Sequence, residues 1–219
     1  MLQPAPDRVF VLQSAGNLAT TQEVLDRIQQ DLETPGDRES LATVTRMCQA
    51  ALYIGRLGRE VSQRHFQALS AVGADGTATV ILGGQIEGSE ADILLVYPEG
   101  NYIGASDERP FLQIGESKYG KLMLEIAVAA DAGLVAATKI ALGSMMSPAH
   151  ANLSVGPPYD LGVYRNNSLS IDEFRITEDS LLLARLKDLW QTHILAALKE
   201  LPSVADFEEL AARPRIQSA

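Results

Sequence analysis

The sequence predicts an α+β fold in which sheets are sandwiched between two helical layers, an αββα arrangement, and three observations predict it. The elements run strand, helix, helix, several strands, helix, helix, strands, helix, so most helices come in pairs. The apolar runs between residues 77 and 114 are short and separated by Gly, Ser, Pro and Asp, which is the texture of an antiparallel meander. The strand–helix–strand alternation that a parallel sheet requires is missing, which ranks parallel α/β architectures lower.

Taken in order, Arg8 to Ser14 is a short β-branched and aromatic run, broken by Ala15-Gly16-Asn17 before an amphipathic stretch. Val24, Leu25, Ile28 and Leu32 fall at helical spacing, and Thr34-Pro35-Gly36 ends that helix. A longer helix is expected from Ser40 to Phe66, with Leu41, Val44, Met47, Ala51, Ile54 and Val61 on one face and Gly55 and Gly58 allowing close packing. Strands are expected at Thr77–Ile86, Ala91–Tyr97, Asn101–Ser106 and Phe111–Ile114. Glu87-Gly88-Ser89 and Pro98-Glu99-Gly100-Asn101 supply the turn chemistry that pairs them sequentially. The Gly83-Gly84 pair reads as a strand bulge or bend, since no Lys-Ser or Lys-Thr follows it to make a phosphate loop.

Lys118 to Ala130 and Gly133 to Met146 form a second helix pair broken at Asp131-Ala132-Gly133. A loop containing Pro148, Pro157 and Pro158 leads to strands at Tyr159–Tyr164 and Ser170–Ile176, then a helix from Ser180 to Leu201. One domain over residues 1–201 and a loosely attached tail over 202–219 complete the reading.

The bulk chemistry excludes several functions. A net charge of −10 argues against a nucleic-acid partner, because phosphate binding needs a concentrated Lys/Arg surface. Cys48 is the single cysteine, so neither an internal disulfide nor a multi-cysteine zinc site can form, and a reducing cytoplasm fits best. The N-terminus lacks a signal-peptide pattern, and no apolar run approaches the roughly 20 residues that span a bilayer, so no membrane partner is expected. His65, His150 and His193 lie on separate elements without ligand spacing, so no metal and no cofactor are expected.

Three ordered stretches carry a resemblance: Ser14-Ala15-Gly16-Asn17-Leu18-Ala19-Thr20-Thr21-Gln22, Gln113-Ile114-Gly115-Glu116-Ser117-Lys118-Tyr119-Gly120-Lys121, and Asn152-Leu153-Ser154-Val155-Gly156-Pro157-Pro158-Tyr159-Asp160-Leu161. Together they resemble the Anbu family of bacterial proteasome-related subunits, over roughly Pro4 to Leu201. The resemblance implies an N-terminal nucleophile hydrolase fold, self-assembly into rings or spirals, and cleavage of peptides or unfolded proteins by an N-terminal threonine whose own α-amine manages the proton with help from a Lys. It also implies further strands ahead of Pro4 that carry the nucleophile, an Asp and the Lys. The chain is therefore expected to be N-terminally truncated, with no catalytic nucleophile of its own.

What the resemblance leaves here is support. Ser117, in the Gly115-Glu116-Ser117 turn, resembles the family's serine that helps hold the nucleophile's amine, and Ser154 lies in a second supporting loop. Gly115 lets backbone approach a substrate, and the helix start after Ser117 presents free N–H groups toward an oxyanion. The plainer reading of both serines is helix capping, and Tyr119 is expected to pack beneath the turn. Thr20 and Thr21 read as capping residues, Cys48 as an inert core thiol in mid-helix, and Lys118, Lys121 and Lys139 as solvated or interface charges. The expected function is thus a threonine-type peptidase subunit in a self-assembled ring or spiral, with a non-catalytic structural subunit as the alternative and any ATPase partner unspecified.

Overall fold

The run at Arg8–Ser14 extends to Gly16 and is the second strand of a five-stranded antiparallel sheet, in a computed structural model that describes residues 1–34 and 39–203. The sheet order follows the chain: β1 (Leu2–Ala5), β2 (Arg8–Gly16), β3 (Ala78–Ile86), β4 (Asp92–Val96) and β5 (Tyr102–Gly104). β1 was not foreseen. It has four residues and contains Pro4, a residue that a sheet edge tolerates because one side of the strand makes no ladder bonds. The pairing of β2 with β3 runs from Arg8↔Ile86 to Gly16↔Ala78 without a register slip, so Gly83-Gly84 makes no bulge in it.

Helices α1 (Leu18–Glu33) and α2 (Met47–Ala71) cover one face of this sheet. Phe10 of β2, Leu82 of β3 and Leu94 and Val96 of β4 meet Val24, Ile28, Ile54, Leu57 and Val61 in one buried cluster. Fully burying each such side chain contributes ~1.5–3 kcal/mol, which makes this the main source of stability for the region. Tyr53 is fully buried within it, and its hydroxyl donates to Asp31 Oδ2 at 2.7 Å.

Several boundaries differ from expectation. The long helix begins at Met47 rather than Ser40, because the nearly buried Arg8 guanidinium donates to the carbonyls of Val44 (2.6 Å) and Leu41 (3.4 Å), holding 40–46 as a turn. It runs on to Ala71, and Cys48 sits in its first turn, half-buried, rather than in mid-helix. Asn17 is the N-cap of α1, accepting from the Thr20 N–H at 3.0 Å. Thr20 and Thr21 follow the cap and spend their hydroxyls on the carbonyls of Gly76 and Asn17. Phe111–Ile114 is not a strand. The β4–β5 ladder ends at Gly104, the chain reverses at an isolated Ser106–Arg109 bridge, and Pro110 removes an N–H that a ladder would need.

Three helices follow, α3 (Ser117–Ala127), α4 (Leu134–Ser144) and α5 (Met146–Ala151), packed on one another. α5 takes the start of the predicted loop, while Pro157 and Pro158 stay in a loop before β6. Pro148 lies in its first turn, where a missing N–H costs no helical bond. β6 (Tyr159–Tyr164) and β7 (Ile171–Ile176) pair as a separate two-stranded ribbon.

By their internal contacts the residues divide into two compact units, Met1–Arg175 and a second that begins at Ile176. The second contains α6 (Leu181–Lys199), on which Leu183 is buried while Leu182, Leu195 and Leu198 are exposed. The expected tail lies, from residue 204 on, outside the described residues, as do Pro35 and Gly36 of the predicted helix stop. No helix among the described residues is long and apolar enough to cross a membrane.

Candidate functional site

Strand periodicity decides which side chains leave the core. Phe10 and Leu12 of β2 turn toward the helices, so Val11, Gln13 and Ala15 turn the other way. Val11 and Gln13, with Ile81 and Gly83 of β3 and Ile93 of β4, line an open cleft of about 640 Å³ to which Gly162, Tyr164 and Ile171 of the ribbon also contribute. The buried Gln85 of β3 ties the ribbon's turn to the sheet. Its Oε1 accepts from the Tyr164 hydroxyl and from the Asn167 N–H (2.8 Å), and its Nε2 donates to Ser89 O and Asn167 Oδ1, both at 2.7 Å.

Beyond Gln13 on the same strand face comes Ala15, where the start of α3 arrives. Gly115 takes φ +77°, a left-handed conformation that costs glycine little, and a Cβ at that position would lie 3.7 Å from the Ala15 Cβ. The turn then enters α3 through Glu116, whose Oε1 accepts from the Lys118 N–H at 2.9 Å. Glu116, and not Ser117, is therefore the N-cap. Ser117 is the first helical residue and is exposed, as is Tyr119, which does not pack beneath the turn.

The other oxygen of Glu116, Oε2, accepts from Asn152 Nδ2 at 2.8 Å. Asn152 closes an Asx turn at the end of α5, its Oδ1 accepting from the Ser154 N–H at 2.9 Å and the Ser154 hydroxyl at 2.5 Å. Gln113 Nε2 donates to the Glu116 carbonyl at 3.0 Å and fixes the turn from below. Gly120 makes room for that amide, since a Cβ there would sit 2.8 Å from Gln113 Nε2.

Gly115, Ser117 and Ser154, singled out from the sequence, are thus joined through two side chains that were not, Glu116 and Asn152. Asn-x-Ser is a recognisable Asx-turn signature and could have drawn attention to Asn152. Nothing local announced that its partner stands 36 positions earlier. Downstream of this loop, Tyr159 is buried and burial pushes its hydroxyl above the ordinary tyrosine range. Among the described residues, no three His, Cys, Asp or Glu side chains come together as a metal site. His65 instead pairs with Glu23 Oε2 at 2.8 Å.

No family model matches the chain, and no curated protein does. Solved structures do. Anbu (ancestral beta-subunit) from Yersinia bercovieri is 37% identical with a TM-score of 0.83, over 93% of this chain and 84% of that one. The helical assembly of the Anbu complex from Pseudomonas aeruginosa gives 38% identity and a TM-score of 0.84 over 90% of this chain and 81% of that one. Anbu from Hyphomicrobium sp. strain MC1 gives 37% and 0.81, over 92% and 83%.

With helices layered on an antiparallel sheet and a ribbon across a cleft, the class is the α+β fold of N-terminal nucleophile hydrolases. The similarity extends over 90–93% of the chain. The chain belongs to the Anbu family, a proteasome-related family.

Proposed function

We propose that this chain is the body of a threonine-type peptidase subunit that cleaves peptides or unfolded proteins within a ring or spiral of its own copies. The observation that carries this reading is the corner where the Gly115 turn meets Ala15 at the end of the cleft row, with Ser117 next in the chain after Glu116 and Ser154 bonded to Asn152, the partner of Glu116. A left-handed glycine beside a helix N-terminus offers backbone N–H groups to a developing oxyanion, and hydroxyls nearby can hold an attacking amine and a water. In this reading none of the 219 residues is assigned the role of nucleophile, of its Asp or of its Lys, and the 219-residue chain alone is expected not to hydrolyse peptides. Self-assembly is supported by the helical assembly of the Pseudomonas relative. The cytoplasm is the proposed compartment, in keeping with the free thiol of Cys48.

A second reading, a structural subunit without activity, is favoured by the apolar side chains that α3 and α4 expose, Leu122, Ile126 and Val135, which suit burial against another copy. Two measurements separate the readings. Sequencing upstream of the Met1 codon asks whether an in-frame extension beginning Met-Thr is encoded, and fluorogenic peptides assay the product. Inhibitor-sensitive turnover by the extended protein with none by the 219-residue chain supports the peptidase. Turnover by the 219-residue chain itself overturns the nucleophile assignment, and a stop codon directly upstream supports the structural subunit.

A further inference from the structure

We infer that Glu116 is a positioning residue whose one carboxylate, through Asn152, sets the α3 entry turn and the Ser154 loop relative to each other. The role given to the two serines rests on the peptidase reading, whereas the linkage itself does not. The geometry is a chain of charge-assisted and neutral bonds with every link used once. Glu116 Oε1 takes the Lys118 N–H at 2.9 Å, Oε2 takes Asn152 Nδ2 at 2.8 Å, and Asn152 Oδ1 takes both the N–H and the hydroxyl of Ser154.

Only a carboxylate facing an amide satisfies this set. With Asn152 as the donor, position 116 accepts twice, which a carboxylate does with two oxygens and a carboxamide with its single oxygen does poorly. Position 152 must donate toward Glu116 and accept from Ser154, which a carboxamide does and an ionised carboxylate facing Glu116 cannot. Placing the negative charge at the N-cap of α3 also matches the N-terminal end of the helix dipole. Since Glu116 precedes Ser117 and Asn152 lies two residues before Ser154, the bond between them fixes the relation of the two hydroxyl-bearing segments.

The arrangement makes a prediction that a bland surface bond does not. Exchanging the partners, Glu116→Gln with Asn152→Asp, preserves every link. The carboxamide oxygen now at position 116 accepts from the Lys118 N–H while its NH2 group donates to the carboxylate at position 152, whose other oxygen still serves Ser154. The single change Asn152→Asp sets two carboxylates against each other, and the single change Glu116→Gln leaves one donor without an acceptor.

The experiment is amide hydrogen exchange by NMR on the 219-residue chain, followed at Lys118 and Ser154. Protection at both is expected to fall about tenfold in Asn152→Asp, to fall at one or both in Glu116→Gln, and to return in the double exchange. Unchanged protection in both single variants, or no recovery in the pair, overturns the inference. Should Asn152→Asp not fold, Glu116→Gln and the pair still decide it. In the threonine-bearing extended protein, kcat for a fluorogenic peptide is expected to follow the same fall and recovery with KM little changed. If the exchange pattern appears while no form hydrolyses peptides, the linkage stands and the peptidase reading fails.

Discussion

Gly55 of α2 and Gly100 of the turn between β4 and β5 touch backbone to backbone: a Cβ on Gly55 would lie 2.4 Å from the Gly100 carbonyl oxygen. This contact lets the long helix settle onto the sheet. Its neighbour Gly58, on the same helix, has nothing within 4 Å of the corresponding Cβ position.

The pair makes a controlled test of packing against propensity. Gly55→Ala has to push the helix from the turn and is expected to cost ~1–3 kcal/mol or more. Gly58→Ala gains helix propensity in open space and is expected to be neutral or stabilising by up to ~1 kcal/mol. Urea denaturation of both variants decides it, and equal effects would show that helix position does not depend on the glycine contact.

Gln85 gathers four hydrogen bonds in a buried position between sheet and ribbon turn. Gln85→Leu keeps the volume and removes every partner of the Tyr164 hydroxyl and the Asn167 N–H that it supplied. A loss of ~1–3 kcal/mol is expected, because four part-buried hydrogen bonds are lost together. Exchange at the Asn167 amide should accelerate far more than exchange in α1. Uniform acceleration everywhere would mean that the residue stabilises the fold without anchoring the ribbon.

The Tyr53 hydroxyl is pushed well above the ordinary tyrosine value, first by burial and then by its bond to Asp31. A folded-state pKa above the unfolded one gives stability that is whole below the unfolded value, about 10, and lost as pH rises beyond it. Unfolding free energy should therefore fall between about pH 10 and 12, with a smaller fall in Tyr53→Phe. Parallel slopes for the two proteins would remove Tyr53 from the account. Near neutral pH the substitution should cost ~1 kcal/mol, the net worth of one hydrogen bond.

Arg8 ends the pairing of β2 at Ile86 and also holds the 40–46 turn through Val44 and Leu41. The Asp7 carboxylate, bonded to it at 2.8 Å through both oxygens, raises the pKa of the guanidinium and lowers its own. Arg8→Met keeps much of the stem and removes the donors, with an expected cost of ~2–3 kcal/mol. Proteolysis should open first at 40–46 in this variant, and a first cut elsewhere would count against the tether.

Much of this architecture was legible in the residues. The β-branched and aromatic run from Arg8 to Ser14, the turn residues Glu87-Gly88-Ser89 and the helical spacing of Val24, Ile28, Ile54 and Val61 are local signals that the structure repeats with small boundary shifts. In the candidate site, the three motifs led to Gly115, Ser117 and Ser154, because glycines and small hydroxyl residues in turns mark themselves by their type. The Glu116–Asn152 bond that joins them was not legible, since sequence separation hides which acceptor a donor will meet.

On its own, the order of residues determined the sheet meander and the paired helices, which follow from propensity and periodicity over a few neighbouring positions, and it carried the three motifs on which the family resemblance rests. Tertiary structure alone decided that α2 waits until Met47, that Phe111–Ile114 stays out of the sheet, and that Glu116 rather than Ser117 caps α3. In each case a distant group or a missing partner sets the outcome: Arg8 claims two carbonyls, the ladder stops at Gly104, and Asn152 takes the second oxygen of one carboxylate. Short-range pattern fixes which elements can form, and competition for hydrogen-bond partners brought together by folding fixes where they begin and what they hold.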